Sequence, residues 1–139
     1  MRRFVTSLSP RPSAPEDEVW AESMLRFEER ELWRQMANAD RRHAVTVARR
    51  FLDRRPDATR AEVAGALLHD VGKVDAGLGT FGRVVATVVG ARTKRFRTYH
   101  DHEAIGARMA AEAGADQVTI DLIAGDGPAA ADLAWADHV

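Results

Sequence analysis

Apolar positions recur at helical spacing along most of the chain. Over residues 16–38, Val19, Trp20, Met24, Phe27, Leu32 and Met36 approximate one stripe, which predicts a first helix. Asn38 or Asp40 can cap a second helix over about 40–54, and Pro56 closes it. The stretch Thr-Arg-Ala-Glu at 59–62 has the form of a capping box and opens a third helix, from about 60 to Val71, with Gly72 as its stop. That helix is apolar nearly all round, so it should be central and buried. A glycine-rich loop follows. The next stretch, "RVVATVVGA", has strand propensity, but its helical neighbours favour a helix. Residues 92–97 read as a short basic loop. Helices over about 101–113 and 116–124 end at Gly114 and Gly125, and Gly127-Pro128 opens a last helix over about 129–138.

These elements predict an all-α fold, a single-domain bundle of six to seven helices with short connections. Residues 1–15, which hold three of the five prolines, read as a flexible arm, and 16–139 as the one domain. The 139 residues suffice for one sizeable core. Twenty basic against 21 acidic residues leave a net charge of −1, which argues against a nucleic-acid partner. With no cysteine there is no disulfide, Cys-zinc site or thiol nucleophile, so any metal must be held by His and carboxylates. The N-terminus has a basic start but no apolar core of a signal peptide, and the longest apolar stretch is too short to span a bilayer. A soluble, cytoplasmic protein with no membrane partner is the expectation.

The chemistry concentrates in "GALLHDVGK", residues 65–73, where His69 and Asp70 stand side by side in an apolar helix. A carboxylate taken out of water needs a partner or a cation. Neighbouring residues on a helix point about 100° apart, so these two should not pair with each other but could flank one ion. His43 shares a face with Val47 and Phe51, and His102 with Ile105 and Met109. His100 falls before that later helix, in the loop. Asp137 shares a face with Ala130, Leu133 and Ala134, with Asp132 as its competitor. Four helices thus each aim a metal-type ligand inward. Four unrelated buried polar groups would each need a separate hydrogen-bond partner.

His43, the His69-Asp70 pair and Asp137 together resemble the metal signature of the HD-domain metal-dependent phosphohydrolase superfamily. The resemblance covers roughly residues 40–139, and "ALLHDVGK" is its most specific part. It implies an HD-type helical core with His43, His69, Asp70 and Asp137 as metal ligands. "HEAIGARM", residues 102–109, resembles a later family helix that supplies a second-metal ligand in several dinuclear branches. The further His usual in those branches has no counterpart in "IAGDGP", residues 123–128. There Asp126 either substitutes or caps the last helix. One metal, with His102 turned to substrate phosphate or to the activated water, is therefore expected.

Two imidazoles and two carboxylates suit Mn²⁺, Fe²⁺, Co²⁺, Ni²⁺ or Mg²⁺ better than a closed structural zinc. The expected function is a metal-dependent phosphohydrolase acting on a phosphomonoester, nucleotide or dinucleotide through a metal-activated water, with Asp70, Lys73 and His102 as catalytic residues. Lys73 either stabilises phosphate charge or simply complements the helix dipole. Gly72, Gly77, Gly79 and Gly82 border the site but match no P-loop. Arg92, Lys94, Arg95 and Arg97 form a basic patch suited to substrate phosphate, with Phe96 or Tyr99 as a stacking surface. Two other readings share the scaffold: an HD-type non-haem iron oxygenase, and a non-catalytic ligand-binding or regulatory HD domain. In the last, helix 16–38 would serve docking or homodimer formation.

Overall fold

The computed structural model describes residues 14–75 and 98–138. Among these it is all-helical: α1 Pro15–Ser23, α2 Phe27–Gln35, α3 Asn38–Arg54, α4 Arg60–Leu67, a 3₁₀ turn Val71–Asp75, α5 Thr98–Glu112, α6 Gln117–Ile123 and α7 Ala130–His138. The helix expected over "RVVATVVGA", the basic loop at 92–97 and Gly77, Gly79 and Gly82 lie outside the described residues. None of the described helices is long and apolar enough to cross a membrane.

Helix α4 is the centre. Its Val63, Ala64, Ala66 and Leu67 are fully buried, as its all-round apolar sequence requires. It packs against α3 on one side and α6 on the other, and α7 closes over α3. At Gly65 the approach of α6 is close: a Cβ there would stand 3.0 Å from Leu122 Cβ. The capping box at its start is formed as the sequence predicts. Thr59 Oγ1 accepts from the Glu62 N–H, and the Thr59 N–H donates to Glu62 Oε1, both at 3.1 Å. Gly114 and Gly125 adopt φ of +80° and +87° after α5 and α6. The Asp126 N–H then reaches back to Asp121 O, closing a Schellman turn.

The first predicted helix is in fact two. The Arg60 guanidinium donates to Met24 O at 2.8 Å, taking a carbonyl that a continuous helix would use. Glu29 Oε1 accepts from the Arg26 N–H at 2.7 Å and restarts the helix. Tertiary partners therefore decide the break, and they also rearrange the stripe. Val19 and Phe27 are exposed, whereas Ala21, Leu25 and Trp33 join Leu32 and Met36 in the core. Helix α3 likewise begins without the expected side-chain cap. Its N-cap residue is Ala37; Asn38 instead accepts from Arg41, which also donates to Met36 O at 2.7 Å. Helix α5 starts at Thr98, so His100 belongs to the helix rather than to the loop; no Pro or Gly intervenes to delay it.

Arg60 also reaches the fully buried Glu29 (Nη1–Oε1 3.3 Å) and Asp116 at the foot of α6 (3.2 Å). Removing it takes the Arg60 charge from a buried carboxylate that would keep the Arg26 N–H bond. Arg60→Ala is expected to lower stability by about 2–3 kcal/mol, read as a shifted urea midpoint at unchanged m-value; a shift under about 0.5 kcal/mol would contradict this.

Candidate metal centre

Helix α3 presents His43 on the face that buries Val47 and Phe51. Helix α7 presents Asp137 beside Leu133, and the two side chains meet with His43 Nε2 3.0 Å from Asp137 Oδ1. Asp132 is excluded from this role because it faces Arg54 and Arg55, at 3.3 and 3.1 Å. The third group, His69, follows the end of α4. The Nδ1–H of His69 donates to Ala66 O at 2.7 Å, the last turn of the helix supplying an otherwise unused carbonyl. That bond fixes the tautomer and turns Nε2 toward α3 and α7.

His69 Nε2 is the informative atom. It is buried and has no hydrogen-bond partner. Two carboxylate oxygens flank it, Asp70 Oδ2 at 3.3 Å and Asp137 Oδ1 at 3.4 Å. A bare nitrogen lone pair facing two carboxylates is repulsive, so the site calls for a cation there, either a proton or a metal ion. Burial opposes charge on His69, but Asp137 and Asp70 outweigh it and push the imidazole up to about 9. Burial would raise Asp137, yet its contacts with His43 and His69 prevail and hold it well below the usual carboxylate range. The contact between His69 and Asp137 is best described as charge attraction, since its length leaves no well-aligned hydrogen bond.

One ligand atom each from His43, His69 and Asp137 lies within 4.8 Å of the others, so this group could hold a metal ion. Asp70 borders the group through His69 rather than completing it at that distance. The pairing of Asp70 with its neighbour corrects the expectation that the two side chains diverge. Helix α4 ends at Leu67, and 68–70 form a turn in which the 100° rule of a helix no longer applies. Gly72 accordingly is not a helix stop but sits inside the 3₁₀ turn.

The group opens onto a cleft of about 670 Å³. His102 lines it, as its inward face predicts, together with Lys73, whose Nζ rests 3.6 Å from Asp70 Oδ2. Leu122, Ile123, Ala130 and Leu133 supply apolar lining. Glu103 and His138 also line the cleft and were not singled out by the sequence. Each follows a recognised residue, and a wide cleft admits two neighbours from one helix. Asp126 lies elsewhere: the Schellman turn leaves it exposed, lining a separate small cleft with Glu62 and Val118. Arg92, Lys94, Arg95 and Arg97 lie outside the described residues, and of the Tyr99 side chain nothing is described. Comparison of the chain with family models, curated proteins and solved structures finds no match.

Proposed function

We propose that the chain is an HD-type metal-dependent phosphohydrolase that cleaves a phosphomonoester, nucleotide or dinucleotide. The buried Nε2 of His69, which makes no hydrogen bond and stands between two carboxylate oxygens in the lining of a cleft, carries this reading. The donor set fits a divalent ion of the Mn²⁺, Fe²⁺, Co²⁺, Ni²⁺ or Mg²⁺ kind. Such an ion would supply Lewis acidity toward a phosphoryl oxygen and activation of water. The residues of this chain do the rest. Ala66 O holds the His69 ring in its ligating tautomer, in the manner of outer partners in metal sites. Asp137 joins His43 and His69, and Asp70 adds negative charge beside them. Lys73 lines the cleft half-exposed, close enough to Asp70 to be held near the site and able to turn toward developing phosphate charge. His102 faces substrate from the α5 wall.

The test is phosphate release from nucleotides and p-nitrophenyl phosphate with added Mn²⁺, Co²⁺ or Ni²⁺. Lys73→Ala should lower kcat by about 10-fold or more while metal content is unchanged. Metal-loaded protein inert toward every ester would sink the reading, as would release that persists undiminished in Asp70→Ala.

A further inference from the structure

Gly72 and Gly106 have no positive φ; among the described residues that conformation belongs to Gly114, Gly125 and Gly127. What demands glycine at these two positions is space. A Cβ on Gly72 would stand 2.0 Å from the carbonyl oxygen of His102 and 2.9 Å from Gly106 N. A Cβ on Gly106 would meet Gly72 N and Ile123 Cγ2, each at 3.1 Å, and Val71 Cγ1 at 3.3 Å. The 3₁₀ turn and α5 therefore lie backbone against backbone, over the single helical turn from His102 to Gly106. Gly72 is two residues past Asp70, so this contact fixes α5 against the chain segment that carries the His69-Asp70 pair.

We propose that Gly72 and Gly106 are positioning residues for the His102 imidazole: their close contact sets its distance from the metal group and thereby its alignment with substrate. The proposal rests on the reading of His102 as a group facing substrate. It makes the two substitutions unequal. Gly106→Ala requires neighbours to yield by a few tenths of an ångström, whereas Gly72→Ala must separate the 3₁₀ turn and α5 by about an ångström or more. A displacement near 1 Å costs about 100-fold in rate, and a few tenths correspondingly less.

The experiment combines both variants with His102→Ala, in full-length Mn²⁺-loaded protein, with p-nitrophenyl phosphate as the probe. Gly106→Ala is expected to lower kcat about 3- to 10-fold and Gly72→Ala about 100-fold, with metal content and KM within about twofold. Both effects should vanish when His102 is already Ala, because coupled residues do not act additively. Equal losses with and without His102 would overturn the proposal, as would an unchanged kcat in Gly106→Ala. If Gly72→Ala does not fold, the Gly106→Ala pair decides. A second measurement is independent of turnover. In Co²⁺-loaded protein, the paramagnetic shifts of the His102 ring protons should move in Gly106→Ala while those of His43 stay. Unmoved His102 shifts would also defeat the proposal. Loaded wild-type protein without phosphatase activity would count against the proposed function instead, leaving the ring shifts to decide the role of the glycines.

Discussion

Asp137→Ala should abolish tight metal binding and phosphate release together. Asp137 Oδ1 is 3.0 Å from His43 Nε2 and 3.4 Å from His69 Nε2, so it is the negative centre that draws together one imidazole from α3 and one from the turn after α4. Without it the two rings, with centroids 6.2 Å apart, keep their places on α3 and after α4 but lose the charge between them. Loss of one of three converging ligands is expected to weaken binding at least about 100-fold, beyond the roughly 10- to 100-fold effect of losing an outer partner. Metal analysis of the purified variant, against about one ion per chain in the wild type, gives the result. The same ion should stabilise the fold by mass action, by about 4 kcal/mol at a thousandfold excess over Kd. Chelation of the wild type should then lower Tm by about 10 °C or more, and chelation of Asp137→Ala by almost nothing. Undiminished metal content in the variant would refute the assignment.

The metal-free protein should lose stability as pH rises from about 6.5 to 9. His69 is raised from its ordinary 6.5 to about 9, so its contribution is fully present below about 6.5 and is lost as pH climbs through 9. Asp137 is shifted the other way. Its contribution is present above the ordinary carboxylate value of 3.8 and is lost as pH falls well below it. These two groups together thus contribute most between about pH 4 and 6.5, and the alkaline loss from His69 is on the order of 3 kcal/mol. Metal must displace the His69 proton, so its apparent affinity should rise about tenfold per pH unit up to about 9. Melting curves with chelator and with Mn²⁺ test both points. They should diverge above pH 6.5; curves that stay parallel to pH 9 would show that His69 does not carry the proton.

The sequence made legible what periodicity and local chemistry decide. The inward faces of His43, His102 and Asp137 followed from the apolar residues spaced along their helices. The capping box at Thr59 and the glycines after α5 and α6 followed from backbone groups that need partners. What stayed hidden depends on contacts distant in sequence. The break between α1 and α2 is set by Arg60, 36 residues from the carbonyl it takes. The contact between His69 and Asp70 depends on α4 ending two residues before His69, a boundary that an unbroken apolar run conceals. Glu103 and His138 belong to the cleft because of where α5 and α7 dock, and no pattern within either helix announces that.

The contact between His43 and Asp137 spans 94 positions of the chain. Groups so far apart meet once α7 has docked on α3, because closing so long a loop has an entropic cost that nearby contacts help to offset. An ion held there would bind the finished fold rather than guide its early steps. Metal uptake would thus mark the end of assembly, and a chain that had not yet docked its last helix would keep two histidines but no site.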